Sequence, residues 1–521
     1  MSTTTVRVPP GERAIDDHAV PGVSDGDGGV RRVRVAIVGT GFSGLGMAIR
    51  LQQDGIEDYV VLERADDVGG TWRDNTYPGA ACDVPSHLYS FSFAPNPNWT
   101  RTFSRQAEIE AYLRECAERH RVSSHVLYGH EVTDARWVED ERRWHVSTSR
   151  GRVVAEVLVA GMGPLTEPSI PPLPGLDRFQ GTVFHSARWD HQHDLAGERV
   201  AVIGTGASAI QLVPQIQPLV GELQLYQRTA PWIVPRSDRP ITAAERLLYR
   251  HLPLAQRAVR SGIYWWLELR ALGMTRHPRL MKVAELAAKL HLRRQVADPE
   301  LRAKLTPSYT IGCKRVLISN DYHPALTREN ANVITESIDE VRDHSIVTAD
   351  GIEHEVDTII FGTGFHVTDA PYAKLVRGAH GRTLEETWNG SMEAYLGTTV
   401  AGFPNLFIMI GPNTGLGHTS MTIMIEAHLE YVLDALRTMD EAGLATVDVR
   451  PEVQASYNDE VQSAMRHTVW NRGGCASWYV DANGRNSTLW PSFTFRFRER
   501  TRRFRLEDYS VRSRVAAPAA D

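Results

Sequence analysis

The sequence predicts an α/β fold built on two parallel-sheet units, with a helical insertion in the second. Three observations predict it. A β-branched run, Val33-Arg34-Val35-Ala36-Ile37-Val38, leads straight into Gly39-Thr40-Gly41-Phe42-Ser43-Gly44 and then into a helix-spaced stretch ending at Leu51. The same order returns at residues 199–203, with Gly204-Thr205-Gly206-Ala207-Ser208-Ala209 and then Ile210-Gln211-Leu212-Val213. Between the two, Pro164, Pro168, Pro171, Pro172 and Pro174 form a stiff linker at which one domain gives way to the next.

Length and composition set the frame. A chain of 521 residues is too long for one ordinary core, and 42% hydrophobic with 23% charged residues is the balance of a globular protein. A net charge of -6 gives no general attraction to nucleic acid or acidic membranes. No apolar run reaches the roughly 18 residues of a membrane span, and residues 1–30, polar and without the apolar core of a secretion signal, read as a flexible N-terminal arm. Cys82, Cys116, Cys313 and Cys475 are isolated, with no CxxC pair and no His/Cys cluster, so neither a disulfide framework nor a zinc site is indicated. A reducing, cytoplasmic setting fits.

In chain order, the first glycine turn is followed by a strand, Tyr59-Val60-Val61-Leu62-Glu63, ending in an acid. Glycines in such a turn let a pyrophosphate approach the helix N-terminus, and an acid at the next strand end accepts hydrogen bonds from a ribose diol. Residues 69–83 are rich in turn formers and aromatics and read as an ordered loop lining the site; within it Asp83 is equally readable as an Asx-turn residue. Residues 107–120 read as a helix, 132–146 as a strand meander, and 158–163 as a strand ending in small residues. In the second unit the position of Glu63 is taken by Gln227 and Arg228, followed by Thr229. A guanidinium and a hydroxyl there hold a 2′-phosphate that an acid would repel, which selects NADP over NAD. Residues 237–304 read as the helical insertion, with Leu247, Leu248, Leu252, Ala255 and Val259, then Val283, Leu286, Ala287 and Leu290, at helical spacing. Tyr264-Trp265-Trp266-Leu267 within it reads as packing, with a membrane or partner contact as the alternative. Residues 356–365 and 407–418 each read as a buried strand running into a turn. Residues 475–486 read as a lid loop carrying Trp478. Phe493, Phe495 and Phe497 alternate with Thr494 and Arg496, the pattern of a strand with a cationic solvent face.

Phe179-x-Gly181-x-x-x-His185-x-x-x-Trp189-Asp190 lies between the two glycine turns and resembles the fingerprint of type I Baeyer–Villiger monooxygenases. Gly69-Gly70-x-Trp72 through Tyr77-Pro78-Gly79 to Asp83 resembles that family's second fingerprint, and the resemblance runs from about residue 34 to about residue 504. It implies two Rossmann-like dinucleotide-binding domains, one for FAD and one for NADP, with the helical insertion in the NADP domain. The expected division is residues 31–165 and 376–521 for FAD, 166–236 and 305–375 for NADP, and 237–304 for the insertion. The FAD set is then Gly39, Gly41, Phe42, Ser43, Gly44, Glu63, Arg64, Gly70, Thr71, Trp72, Asp83, Tyr89, Val132 and Met421. The NADP set is residues 204–209 with Gln211, Arg228, Thr229, Lys314, Arg315 and Trp478.

The implied activity is insertion of one oxygen atom beside a ketone carbonyl to give an ester or lactone, using NADPH and O2, with sulfides as a further acceptor. Arg315 matches the family's catalytic arginine, the residue that stabilises a C4a-peroxyflavin, and Asp83 its acidic partner. Phe179, Gly181, His185, Trp189 and Asp190 are expected at a hinge between domains. The alternative is an N- or S-oxygenating flavin-containing monooxygenase. A reductase serving a partner protein would need a redox cysteine pair, which the sequence lacks. Partners are thus a small ketone and O2, with no nucleic acid and no membrane span; oligomeric state is left open.

Overall fold

Both strand–turn–helix units form where the β-branched runs place them. In a computed structural model, which describes residues 25–26 and 30–514, β1 (Val30–Val38) leads through the first glycine turn into α1 (Phe42–Gln53). The expected N-terminal arm lies almost wholly outside the described residues. Val35, Ala36 and Ile37 are completely buried, as a central parallel strand covered on both faces requires. β2 (Tyr59–Leu62) pairs parallel with β1. A helix spans Gln106–Arg119, and the expected meander forms as β3 (Val132–Val138) and β4 (Arg143–Thr148), which lead antiparallel into β5 (Gly151–Ala160). β5 pairs parallel with β1 and returns the chain to the glycine turn.

The chain then builds a second sheet from β6 (Thr182–His185), β7 (Arg199–Ile203) and, after helix α2 (Ala207–Ile216), β8 (Glu222–Tyr226). The insertion is helical as expected, with α3 (Ala243–His251), α4 (Pro253–Glu268) and α5 (Met281–Gln295) as its main elements. α3 begins with a capping box, in which Thr242 and Glu245 each satisfy the other's backbone N–H. After the insertion, β9 (Ala331–Ile334) and β10 (Thr358–Phe361) complete a five-stranded sheet in the order β9-β8-β7-β10-β6, parallel throughout.

The chain returns to the first sheet through Val376–Arg377, which pairs with β3, and Leu406–Ile408, which pairs with the end of β5. Helix α6 (Met421–Glu441) buries Met424, Leu429, Val432 and Leu436 in the same core as α1. Two antiparallel strands, β11 (Leu444–Val449) and β12 (Tyr509–Ser513), close the C-terminal part.

Two expectations change. The strand expected at Phe493, Phe495 and Phe497 is a helix, Thr494–Arg500. Glu268 accepts the Thr494 N–H at 2.5 Å and its hydroxyl at 2.8 Å, which satisfies a helix-start amide, and the buried pair is Thr494 and Phe497, three residues apart. The aromatic cluster of the insertion also divides: Tyr264 and Leu267 pack inward while Trp265 and Trp266 face solvent.

One half-buried acid makes the C-terminal part sensitive to pH. The two carboxylate oxygens of Asp448 on β11 accept the Gly402 N–H at 3.0 and 3.2 Å, but burial outweighs that bond and pushes the carboxyl up to about 6. The folded state therefore binds this proton more tightly than the unfolded chain does. Its stabilising contribution is complete below the ordinary carboxylate range and lost as pH rises through about 6. Asp448→Asn keeps an acceptor for Gly402 without the charge. Its thermal midpoint should exceed that of the parent at about pH 8 and converge with it near pH 4; a lower midpoint at the higher pH would refute this account.

Candidate active site

The first glycine turn is shaped to admit a pyrophosphate. Gly39 has φ +92°, and a Cβ there would meet the Gly161 carbonyl oxygen at 3.1 Å; a Cβ on Gly44 would lie 1.9 Å from the Gly39 oxygen. Glycine is thus required both for the turn and for seating α1 on β1. α1 starts without a capping side chain and without an acid in its first turn, so its first amides are free to face an anion. At the end of β2, Glu63 is buried beside this turn; its Oε2 accepts from the Thr40 N–H at 3.0 Å and hydroxyl at 2.6 Å, and Arg73 lies 3.1 Å from Oε1. These donors fix the glutamate at the strand end beside the turn. Arg64 turns outward to Glu167 at 2.5 Å. The His130 N–H donates to the Glu63 carbonyl, which brings Val132, at the start of β3, alongside.

The segment from Gly69 closes over the same turn. A Cβ on Gly70, at φ +53°, would lie 2.9 Å from the Gly41 Cα. Thr71 and Trp72 follow on a short helix, the Trp72 indole N–H donates to the Tyr89 hydroxyl at 3.1 Å, and the Tyr89 ring meets Phe42 edge-on at 5.0 Å. Ser43 is buried in α1, and Met421 opens α6 against the same core.

The second turn repeats the device. Gly204 has φ +114°, and its Cβ would lie 2.5 Å from the Gly362 oxygen; a Cβ on Gly362 would touch that of Ala209 at 3.2 Å. α2, opening with Ala207 and Ser208 after Gly206, also lacks a capping side chain and a first-turn acid. The Thr205 hydroxyl donates to the Thr229 carbonyl at 3.1 Å, tying the turn to the end of β8. Arg228 there is exposed, and among the described residues neither it nor Lys314 forms an ion pair with a carboxylate. Burial and the nearby Arg228 charge lower Lys314 below the ordinary lysine value. Two like charges left together and unpaired suit a phosphate dianion.

Gln211 bonds to the first loop. Its amide donates to the Ala81 carbonyl at 2.9 Å and accepts from the Tyr77 hydroxyl at 2.8 Å and the Ala81 N–H at 3.3 Å. Its hydrogen bonds are made within the chain, and its role is to lock α2 to the 77–81 loop.

Asp83 and Arg315 meet between the two sheets. Arg315 Nε and Nη2 donate to the two Asp83 oxygens at 2.6 and 2.7 Å, and Nη1 approaches the Leu416 carbonyl at 3.4 Å. This is a bidentate ion pair and not the Asx turn that the sequence also allowed. The two side chains retain 23% and 31% of their exposure, so the pair is partly open to solvent. Burial works against the Asp83 charge, but the Arg315 guanidinium and its donated bonds more than offset it and hold the carboxyl below its ordinary value. Asp83 in turn raises Arg315. Arg236, which the sequence reading did not single out, reaches the Cys82 carbonyl at 3.4 Å and adds a second positive charge near Asp83.

The cysteines overturn an expectation. Cys313 and Cys475 form a disulfide, with Cα atoms 6.2 Å apart, while Cys82 and Cys116 are free and buried. Separated by 162 residues, the pair shows no local spacing motif; only the fold brings it together. The bond joins the segment carrying Lys314 and Arg315 to the loop carrying Trp478. Trp478 is 48% exposed, whereas Tyr479 beside it is buried close to Arg315. Residues 481–486 are pinned rather than loose: Asp481 accepts the Asn483 and Arg485 N–H groups, and Arg485 pairs with Glu393.

The Phe179 to Asp190 stretch holds no contact to Asp83 or Arg315 among those described. Gly181 runs against β10, where a Cβ would lie 2.2 Å from the Asp357 oxygen. His185 ends β6, accepts the Ala187 N–H at 3.1 Å, and packs edge-on to Phe365 at 5.7 Å. Burial pushes its imidazole down to about 4, so the ring is neutral near pH 7. Trp189 packs on Phe184 at 5.1 Å, Asp190 accepts the Gln192 N–H at 2.9 Å, and Phe179 packs beside the second sheet. These residues shape the edge of the second sheet at the linker.

Comparison with known proteins agrees with this fold. Residues 32–375 match a family model described as flavin-binding monooxygenase-like. A Baeyer–Villiger monooxygenase of Streptomyces coelicolor is 54% identical over 495 residues, spanning 94% of this chain and 95% of the relative. The NADP+-bound crystal structure of cyclohexanone monooxygenase from Rhodococcus sp. Phi1 superposes with a TM-score of 0.81 at 29% identity, covering 93% of this chain and 99% of that one. A structure of OTEMO with FAD and NADP gives a TM-score of 0.82 at 25% identity, over 90% and 97% of the two chains.

Contact between the first loop and α2 is tightest at Gly79, which has φ +84° and whose Cβ would lie 2.5 Å from the Gln211 carbonyl oxygen. Gly79→Ala should destabilise the protein by about 1–3 kcal/mol, read as a lower thermal midpoint and an earlier release of flavin fluorescence on heating. Gly262→Ala, on an open helical face with nothing within 4 Å, should leave both unchanged or slightly raised. Equal behaviour of the two variants would show that the interlock is unimportant.

Proposed function

We propose, for a chain that belongs to the flavin-binding monooxygenase-like family and within it to the Baeyer–Villiger monooxygenases, that Arg315 and Asp83 are the charged machinery of ketone oxygenation. The enzyme uses FAD, NADPH and O2 to insert one oxygen atom beside a ketone carbonyl, giving an ester or lactone. Bound FAD, once reduced by NADPH, supplies the oxygen-activating chemistry. The observation that carries the assignment is the bidentate, partly exposed Asp83–Arg315 pair, which joins the loop after the first nucleotide unit to the chain returning from the insertion.

The chain's own groups then have defined tasks. The two glycine turns with their uncapped helices receive the pyrophosphates, Glu63 the FAD ribose, and Arg228 with Lys314 the 2′-phosphate of NADP. Asp83 orients Arg315 by occupying Nε and Nη2, while Nη1 touches the Leu416 carbonyl at 3.4 Å with one N–H and keeps the other for negative charge that develops during oxygen transfer. That donor is always charged, and it is held in place before reaction, so no reorganisation is needed at the moment of transfer. Trp478 and Tyr479 form a wall that limits water, and the disulfide keeps that wall in register with Arg315. Oxygenation at nitrogen or sulfur, the alternative from the sequence, is not favoured by any feature of this site. The dependence on NADPH supports a cytoplasmic enzyme, and no helix among the described residues is long and apolar enough to cross a membrane.

Arg315→Ala should still permit NADPH to bleach the flavin in anaerobic stopped flow, within about tenfold of the parent rate, while ester formation falls by about a hundredfold or more. Undiminished ester by gas chromatography would remove Arg315 from the chemistry. Arg228→Ala combined with Lys314→Ala should raise the KM for NADPH by about tenfold or more and leave that for NADH nearly unchanged; an equal effect on both coenzymes would contradict the 2′-phosphate assignment.

A further inference from the structure

The insertion carries its apolar residues on the wrong side for a purely internal role. Among the described residues, 19 large apolar side chains are exposed, and 11 of these lie within residues 247–290. The pattern is helical. On α4 and its C-cap, Leu254, Trp265 and Leu269 share a solvent face with Ala258 and Gly262, while Gln256, Tyr264 and Leu267 face inward. On α5, Val283, Leu286, Ala287 and Leu290 face solvent while Met281, Ala288 and Leu292 face inward. Each helix is thus apolar on two opposite faces, and the chain covers only one. Trp265 and Trp266 are 54% and 65% exposed. Trp265 lies 6.2 Å from Phe495, Phe495 stacks on Phe493 at 5.2 Å, and Arg276 covers the Phe493 ring at 5.5 Å, which carries the patch toward α5.

Charge is segregated in the same way. Residues 243–295 hold 11 Lys and Arg against three Asp and Glu, a net +8, although the whole chain is -6, so that the remainder is -14. Arg257, Arg276, Arg279, Lys282, Arg293 and Arg294 are exposed, and none forms an ion pair with a carboxylate among the described residues. The overall charge gave no sign of this, because the acidic remainder masks it.

We propose that this face of the insertion docks on a membrane surface bearing anionic lipids, with the tryptophans and leucines seated at the headgroup boundary and the unpaired cations facing the lipid phosphates. Apolar residues on helices flanked by Lys and Arg are the composition of an interfacial anchor, and tryptophan is favoured at that depth because its ring is apolar and its N–H is polar. A second copy of the chain fits less well, since a symmetric contact would bring two surfaces of unpaired cations together. No spanning helix is involved. The contact would seat the enzyme where lipophilic ketones partition.

The test is sedimentation of the FAD-loaded full-length protein with vesicles of pure phosphatidylcholine and with vesicles containing about one third phosphatidylglycerol. The parent should bind the anionic vesicles about tenfold more strongly than the neutral ones, and high salt should release it. Trp265→Ser combined with Trp266→Ser should weaken that binding about tenfold, with flavin absorbance, thermal midpoint and turnover of a small water-miscible ketone unchanged. Should that variant fail to fold, Val283→Ser combined with Leu286→Ser replaces it, with the same expectation. The proposal is overturned if the parent stays in the supernatant with anionic vesicles, or if the variant that folds binds as tightly as the parent. It is equally overturned if light scattering shows a dimer that these substitutions convert to monomer, since a second copy would then cover the face.

Discussion

Asp83 and Arg315, 232 residues apart in sequence, are joined by two charge-assisted hydrogen bonds of 2.6 and 2.7 Å, and much of the molecule is arranged so that they meet. Asp83 ends the loop that follows the first nucleotide unit. Arg315 stands where the chain comes back from the insertion into the second sheet, and Arg236, which adds its charge to the same site, stands where the chain leaves for it. Both ends of the insertion therefore return to neighbouring residues, Arg315 to the Asp83 carboxylate and Arg236 to the Cys82 carbonyl. Desolvating two charges is costly, and a pair of this kind is weak evidence for stability by itself. Its value is orientation: the carboxylate fixes the planar guanidinium fork through two of its donors.

Around that pair the fold uses one backbone device twice. Gly39 opposite Gly161 and Gly204 opposite Gly362 each press a turn against the end of a neighbouring strand, leaving no space for a Cβ. The same packing opens the helix N-terminus to an anion in both places. Chemical difference enters only at the next strand end, where Glu63 is buried among donors in the first unit while Arg228 and Lys314 stand unpaired in the second. Gln211 and Gly79 hold the two units together, so the distance from one turn to the other is set by direct packing.

The insertion follows a different rule. Its inner faces pack on the body in the ordinary way, but α4 and α5 keep a second apolar face and a surplus of cations. A stretch with that composition is legible as helix from its 3.6-residue period, yet the period is the same for both faces. Spacing alone gives no reason to assign Trp265 and Trp266 to the surface and Tyr264 and Leu267 to the core.

The amino-acid sequence by itself determined the two strand–turn–helix units, the helical insertion, and the contrast between an acid and a cation at the two strand ends. Each rests on local order: a β-branched run, glycines at fixed spacing, and one residue type at the following strand end. Its resemblance motifs also pointed to Asp83 and Arg315. Tertiary structure alone decided that these two pair bidentately, that Arg236 joins them, that Gln211 is consumed in holding two units together, and that Cys313 meets Cys475. It also turned the alternating phenylalanines near residue 495 into a helix, because Glu268, more than 200 residues earlier, caps its first amide. Contacts between residues far apart in the chain leave no periodic trace, since each partner's neighbours obey only their own strand, turn or helix.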